Sequence, residues 1–125
     1  MKKKITIFGS TGSIGDSTLD LVKSHPEKYQ IVGLTINNNY KKLIKQVKSF
    51  KPKIVSINDN ESYKKFKEIN QNQSLKVVNG KDCYDEILNY KTDMVVAAIT
   101  GSTGLMPVVK AVKKGIPIAL ANKES

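Results

Sequence analysis

The chain has 125 residues and a formal net charge of +10, from 21 basic and 11 acidic side chains. This length predicts a single domain with one core, and no apolar run approaches the ~18 residues that a membrane-spanning helix needs. All the basic residues are lysines, whereas arginine is preferred for bidentate contacts to guanine and phosphate, so we expect neither a nucleic acid nor a membrane as partner.

Short apolar runs alternate with segments of helical spacing along the whole chain, which is the pattern of a parallel sheet with crossover helices. Strands are predicted at Ile5–Phe8, Gln30–Ile36, Ile54–Ile57, Leu75–Val78, Met94–Ile99 and Ile118–Leu120. Helices are predicted at Ser13–Ser24, Tyr40–Phe50, Glu61–Asn70, Asp82–Asn89 and Leu105–Lys114. The sequence therefore predicts a Rossmann-like, doubly wound α/β domain over residues 1–125, with a mainly parallel six-stranded sheet and helices on both faces.

The connection between the first strand and the first helix is rich in glycine and reads Gly9-Ser10-Thr11-Gly12-Ser13-Ile14-Gly15. The first N–H groups of a helix are unpaired and carry partial positive charge, so an anion such as a dinucleotide pyrophosphate is expected there. The spacing Gly-x-x-Gly-x-x-Gly is a variant of the usual dinucleotide fingerprint. The alternative is a turn of small residues without a ligand.

The second strand is followed by three asparagines at positions 37–39. NAD-specific proteins usually carry Asp or Glu at this point to hold the ribose 2′-hydroxyl. Because no carboxylate is present, the asparagines, together with Lys41 or Lys42, are expected to favour the 2′-phosphate of NADP. The alternative is that asparagine is used only because it tolerates left-handed turn geometry.

Two later segments also follow predicted strands. Gly101-Ser102-Thr103-Gly104 repeats four residues of the first loop and is expected to line the nicotinamide half of a cofactor, unless both loops need small residues only to turn. Asn122-Lys123-Glu124 could hold a carboxamide and an anionic substrate, or could be an ordinary surface pair. A chain that ends just past a strand, where α/β sheets place ligand residues, is expected to be truncated.

The remaining reactive side chains do not predict a catalytic or metal site. Cys83 is the only cysteine and His25 the only histidine, which excludes an internal disulfide and a metal centre with several imidazoles. We expect Cys83 to be a small helix residue and His25 to cap the first helix. Asp16 and Asp20 share a helix face and are expected to be solvated.

Several motifs together resemble the 1-deoxy-D-xylulose 5-phosphate reductoisomerase family along the whole chain. They are the glycine loop at 9–15, Ser17-Thr18-Leu19-Asp20, Ala97-Ala98-Ile99, Gly104-Leu105 with Pro107, and the closing Ala119-Leu120-Ala121-Asn122-Lys123-Glu124-Ser125. Members of this family are several-fold longer, so the resemblance is to their N-terminal NADPH-binding domain.

The resemblance implies an oxidoreductase that isomerises and reduces 1-deoxy-D-xylulose 5-phosphate to 2-C-methyl-D-erythritol 4-phosphate in non-mevalonate isoprenoid biosynthesis. It implies NADPH, a divalent metal (magnesium, manganese or cobalt) and a homodimer for the full-length enzyme, while this fragment holds no catalytic or metal residue. The implied contacts are Thr11, Gly12, Ser13 and Ile14 to the cofactor phosphates, Asn37, Asn38 and Asn39 to the adenosine end, Asn122 and Glu124 to NADPH, and Lys123 to the substrate.

One departure from the family pattern concerns the 2′-phosphate loop. The family typically has glycine, then a variable or basic residue, then asparagine, and here Asn37-Asn38-Asn39 stand in those places. Asn39 keeps the match and Asn37 can adopt a positive φ, but Asn38 brings no charge, so NADPH affinity is expected to be weaker than in members with lysine there.

Two other functions remain open from the residues. One is an NADP-binding domain of another Gly-x-Thr-Gly-x-x-Gly reductase, of the aspartate-semialdehyde dehydrogenase type. The other is a nucleotide-sensing domain without catalysis. Because no cleavable leader precedes the first strand, a cytoplasmic bacterial protein is expected, or a plastid-type one whose transit peptide has been removed.

Overall fold

The centre of the fold is a parallel β-sheet. The computed structural model describes residues 1–99 and 105–120, and this part contains six strands: β1 (Lys3–Phe8), β2 (Tyr29–Ile36), β3 (Ile54–Ile57), β4 (Lys76–Val78), β5 (Met94–Ala97) and β6 (Ile118–Leu120). Their order is β4-β3-β2-β1-β5-β6, and each neighbouring pair is parallel. The predicted fold class is confirmed.

Five helices connect these strands within the described residues. They are α1 (Ser13–Ser24), α2 (Tyr40–Phe50), α3 (Asn60–Ile69), α4 (Cys83–Leu88) and α5 (Leu105–Lys113). Every predicted helix and strand is present, with ends that differ by at most two residues. The start of α3 differs because Asp59 accepts a hydrogen bond from the backbone N–H of Ser62, which begins the helix one residue earlier than predicted.

The helices cover both faces of the sheet, and the apolar core is divided accordingly. On β1, the adjacent residues Ile7 and Phe8 are both fully buried and belong to different clusters, because successive side chains of a strand point to opposite faces. The cluster of Ile7 includes Leu19 of α1, Leu43 of α2 and Phe66 of α3. The cluster of Phe8 includes Ile87 of α4 and Ala111 of α5.

The connections reverse direction at the centre of the sheet. From β1 the chain proceeds to β2, β3 and β4 on one side, and it then returns to β5 and β6 on the other side of β1. In open α/β sheets, ligands bind at the carboxyl ends of the strands beside such a reversal. No helix among the described residues is long and apolar enough to cross a membrane.

Candidate dinucleotide-binding site

A cavity of about 850 Å³ lies at the carboxyl ends of the strands, beside the reversal. Its size is within the range of small-molecule sites. It is lined by residues of the loops after β1, β2, β3, β4 and β5 and by the start of α5: Gly9, Thr11, Gly12, Thr35, Ile36, Asn37, Asn58, Lys81, Asp82, Tyr84, Ala98, Ile99, Met106, Pro107 and Lys110. The structure therefore brings Gly9, Thr11 and Gly12 of the glycine loop and Asn37 of the asparagine loop to one cavity.

The backbone of the glycine loop is held from the side of β2. The N–H of Gly9 donates to the carbonyl oxygen and to the hydroxyl oxygen of Thr35, both at 3.0 Å, and the N–H of Ser10 donates to the same carbonyl at 2.9 Å. Gly9 has a φ of +84°, a conformation that favours glycine. These bonds fix the direction in which the loop leaves the sheet.

Two other glycines in this loop have different surroundings. A Cβ on Gly15 would lie 2.5 Å from the carbonyl oxygens of Gly9 and Ser10, whereas a Cβ on Gly12 would meet no atom of the described residues within 4 Å, its chain neighbours apart. Because Gly15 has no side chain, α1 can lie close to the backbone of the glycine loop. Gly12, which precedes the first residue of α1 and lines the cavity, leaves open space at the helix N-terminus, where a phosphate group fits.

A buried pair of polar side chains holds the loop to α2. The Ser10 hydroxyl donates to Oε1 of Gln46 at 2.8 Å, and Nε2 of Gln46 donates to the carbonyl oxygen of Ser10 at 2.8 Å. Both residues are buried, so the two hydrogen bonds satisfy groups that water does not reach. Gln46 was not predicted to belong to the site, although a polar residue between Leu43 and Val47 on the buried side of α2 could have indicated a structural or binding role.

Lys42 also binds the glycine loop from behind. Its ammonium donates to the carbonyl oxygen of Thr11 at 3.0 Å and forms an ion pair with Asp16 on α1. Asp16 is thus paired with Lys42, but its side chain is still 46% exposed, so it remains in contact with solvent as expected, and Asp20 is exposed as well. The charge of Lys42 is already balanced, which leaves it poorly suited to the 2′-phosphate role considered from the sequence.

The asparagine loop is exposed and is held by hydrogen bonds to the loop after β3, to α3 and to α2. Oδ1 of Asn37 accepts from Nδ2 of Asn58 at 3.1 Å, and the carbonyl oxygen of Asn38 accepts from the Ser62 hydroxyl at 3.0 Å. Oδ1 of Asn39 accepts from the N–H of Lys42 at 3.2 Å and caps α2. The loop connects β2 to α2, and the hydrogen bonds of its asparagines stabilise both the end of the strand and the start of the helix.

Left-handed geometry does not explain these asparagines. Among the described residues, Lys51 is the one non-glycine residue with positive φ, so Asn37 does not use the conformation that the sequence analysis allowed for it.

The loop after β3 carries the carboxylate of Asp59, and the backbone N–H of this residue donates to the carbonyl oxygen of Asn37. Hydrogen bonds from the hydroxyl and N–H of Ser62 lower the pKa of Asp59, and its side chain serves as the cap of α3.

One residue of the cavity lining, Tyr84, was not among the predicted site residues. Tyr84 contacts Phe8 edge to face, with ring centroids 5.2 Å apart. Burial raises the pKa of Tyr84, so its phenol ionises even less readily than that of a free tyrosine. Its ring gives the cavity an apolar surface against which a planar base can pack.

The remaining predicted residues divide into three groups. Thr11 and Gly12 line the cavity, and Ser13 and Ile14 form the first turn of α1 directly behind it. Gly101–Gly104, Asn122, Lys123 and Glu124 lie outside the described residues, and their roles stay predictions.

Cys83 and His25 have the structural positions that were predicted. Cys83 is buried at the start of α4, and burial raises the pKa of its thiol. His25 follows α1 as its C-cap, with its N–H donating to the carbonyl of Val22. Within residues 1–99 and 105–120, no group of three or more His, Cys, Asp or Glu side chains is placed to hold a metal ion.

Comparison with known proteins identifies the family. Residues 5–125 match the family model of 1-deoxy-D-xylulose 5-phosphate reductoisomerase. The reductoisomerase of Caldanaerobacter subterraneus subsp. tengcongensis is 51% identical over 122 residues, which cover 98% of this chain and 32% of that protein. The reductoisomerase of Thermoanaerobacter pseudethanolicus is 44% identical with the same coverage.

Solved structures give the same result. The Zymomonas mobilis reductoisomerase in complex with NADPH superposes with a TM-score of 0.89 at 37% identity, over 98% of this chain and 32% of that one. A reductoisomerase in complex with NADPH, fosmidomycin and magnesium superposes with a TM-score of 0.88 at 34% identity, over 98% of this chain and 31% of that one. The chain spans about a third of the length of these relatives, and it belongs to the 1-deoxy-D-xylulose 5-phosphate reductoisomerase family.

Proposed function

We propose that residues 1–125 form the NADPH-binding domain of an enzyme that isomerises and reduces 1-deoxy-D-xylulose 5-phosphate to 2-C-methyl-D-erythritol 4-phosphate. The observation that carries this proposal is one cavity lined both by Gly12, which has open space beside its Cα among the described residues, and by Asn37 of a loop whose residues 37–39 include no carboxylate. The first feature suits the pyrophosphate, and the second suits a phosphorylated ribose.

In this proposal the pyrophosphate of NADPH binds at the N-terminus of α1. The backbone N–H groups there, in Thr11, Gly12, Ser13 and Ile14, donate to the phosphate oxygens, and the helix dipole adds to the attraction. The N–H groups of Gly9 and Ser10 are already bonded to Thr35. They therefore hold the loop in position while the next residues bind the anion.

The adenosine half then lies toward the end of β2. The amides of Asn37, Asn38 and Asn39 can donate to the ribose and its 2′-phosphate, because the side-chain oxygens of Asn37 and Asn39 already accept hydrogen bonds from protein groups. The ring of Tyr84 offers an apolar surface for the adenine. NADPH, when bound, supplies the hydride for the reduction.

The rest of the proposed site uses residues beyond the described part of the chain. By the family resemblance, Asn122 and Glu124 contact NADPH and Lys123 contacts the substrate. A divalent cation (magnesium, manganese or cobalt), its carboxylate ligands and the catalytic residues are proposed for the remaining two thirds of the full-length enzyme, which we propose to be a cytoplasmic homodimer. The match to the reductoisomerase family model over residues 5–125 favours this assignment over an aspartate-semialdehyde dehydrogenase or a nucleotide sensor.

Titration of the 125-residue chain with NADPH and NADH, followed by the fluorescence of the reduced nicotinamide, tests the proposal. We expect saturable binding of NADPH that is tighter than that of NADH, and no consumption of NADPH when 1-deoxy-D-xylulose 5-phosphate is added to this chain alone. Failure to bind either nucleotide, or a preference for NADH, would overturn the proposed function.

A further inference from the structure

The asparagine loop itself brings no positive charge to its end of the cavity. The asparagines at 37–39 are neutral, and the ammonium of Lys42 is engaged by Thr11 and Asp16. Of the described residues that line the cavity, two are lysines, Lys81 and Lys110. The positive charge that attracts an anion to this end of the cavity must therefore come from an element other than the loop after β2.

Lys110 is already paired. Its ammonium lies 3.1 and 3.0 Å from the two carboxylate oxygens of Asp85 on α4. This ion pair joins α5 to α4 beneath the cavity, and it balances the charge of Lys110. Lys81, in contrast, is exposed in the loop between β4 and α4.

Hydrogen bonds between neighbouring loops connect the loop that carries Lys81 to the asparagine loop. Nδ2 of Asn79 donates to the carbonyl oxygens of Ile57 at 2.7 Å and Asn58 at 3.2 Å, and the side chain of Asn58 donates in turn to Asn37. Gly80, with a φ of +106°, turns the chain between Asn79 and Lys81. The loop after β4 is thus connected through the loop after β3 to the asparagine loop.

A phosphorylated ribose needs more than neutral donors. The 2′-phosphate of NADPH is doubly charged near neutral pH, and a cation close to it gives a stronger, charge-assisted hydrogen bond than an amide does. We propose that Lys81 supplies the positive charge that pairs with the 2′-phosphate, in place of the basic residue that Asn38 does not provide. This inference rests on the proposed function and assigns its cofactor specificity to a residue of the loop after β4.

The neighbouring charge provides a second way to test the assignment. Asp82 is exposed, lines the same cavity and precedes α4 without forming a side-chain cap. Its carboxylate opposes a phosphate at this position, and its replacement removes no capping bond. Asp82→Asn should therefore tighten NADPH binding by about two- to threefold, with little effect on NADH.

The experiment measures dissociation constants of NADPH and NADH for the wild-type chain and four variants. Lys81→Gln should weaken NADPH binding about tenfold and leave NADH binding within about twofold, and Lys81→Arg should retain most of the preference. Lys45→Gln, which removes an exposed lysine of α2 outside the cavity lining, is the matched control. Lys41→Gln tests the competing donor considered from the sequence.

The outcomes separate the inference from the proposed function. Loss of the NADPH preference in Lys81→Gln, with the preference intact in Lys45→Gln and Lys41→Gln, supports the role of Lys81. An unchanged ratio of the two dissociation constants in Lys81→Gln, or its loss in Lys41→Gln instead, would overturn it while the proposed function stands. Failure of the wild-type chain to bind either nucleotide would overturn both.

Discussion

The glycine loop and the asparagine loop follow adjacent strands and line the same cavity, but they are held in different ways. Behind the glycine loop, Ser10 and Gln46 exchange two buried hydrogen bonds, and Thr35 accepts from two successive backbone N–H groups. The asparagine loop is exposed, and Asn37 and Asn39 bond to neighbouring groups near the surface. One loop is anchored in the core, and the other is anchored at the surface.

This difference suggests a division of roles between the two loops. The pyrophosphate is common to NAD and NADP, so a loop that binds it gains from being rigid before the ligand arrives, which lowers the cost of ordering. The 2′-phosphate distinguishes the two cofactors, and it is read by exposed amides and by charges that sequence changes can alter without disturbing the core. The following variants test that division, from the largest expected effect to the smallest.

The largest effect is expected at Gly15. A methyl group there would lie 2.5 Å from two backbone oxygens of the loop, so Gly15→Ala must displace either α1 or the loop. We expect the free energy of unfolding, measured by urea denaturation, to fall by about 1–3 kcal/mol, and NADPH binding to weaken at least tenfold.

Gly12→Ala is the matched control for Gly15→Ala. Apart from its chain neighbours, its methyl group meets no atom of the described part of the chain within 4 Å, but it enters the space assigned to the phosphates. We expect weaker NADPH binding and a loss of stability of about 1 kcal/mol or less, since alanine is a less favourable helix N-cap than glycine. Equal stability losses in the two variants would contradict the tight approach of α1 to the loop.

The next effect concerns the buried pair. Gln46→Leu leaves the hydroxyl and the carbonyl of Ser10 without their partners in a site that water does not reach. We expect a loss of about 1–3 kcal/mol in the free energy of unfolding, together with weaker binding of NADPH and NADH by a similar factor. Ser49→Ala, an exposed change on the same helix, should stay within about 0.5 kcal/mol of the wild type.

A double-mutant cycle distinguishes this pair from a general packing effect. Because Ser10→Ala removes one of the two bonds, it should cost less in the Gln46→Leu background than in the wild type. Simple additivity of the two substitutions would show that the side chains are not coupled.

The smallest of these effects is expected in the asparagine loop. Asn37→Asp keeps the oxygen that accepts from Asn58 and adds a negative charge where a 2′-phosphate is proposed to bind. Stability should change little, while the preference for NADPH over NADH should fall about tenfold. Asn72→Asp makes the same charge change at an exposed residue outside the cavity lining and should leave the preference unaltered.

The fold was largely predictable because its signals are local. Apolar runs of strand length and segments of helical spacing locate every strand and helix to within two residues. The phosphate loop was predictable for the same reason, since its glycines lie between a strand and a helix. Asp59 shifted the start of α3 because a side-chain cap decides where a helix begins.

The contacts that support the site depend on residues far apart in the chain. Gln46 lies 36 residues from Ser10, and Lys42 lies 26 residues from Asp16, so neither pairing follows from local spacing. The presence of Lys81 and Asn37 in the lining of one cavity depends on the packing of three neighbouring strand-end loops. These contacts follow from the order of the strands, which the alternation of apolar runs does not specify.

The central claim is that both loops bind one NADPH molecule and that the asparagine loop reads its 2′-phosphate. Amide chemical shifts of the ¹⁵N-labelled chain, recorded during titration with NADPH and then with NADH, test it most directly. NADPH should shift the amides of residues 9–15, 37–39 and 81, and NADH at equal saturation should shift residues 9–15 with much smaller changes at 37–39 and 81. Shifts confined to other surfaces, or identical responses to the two nucleotides at residues 37–39 and 81, would contradict the account.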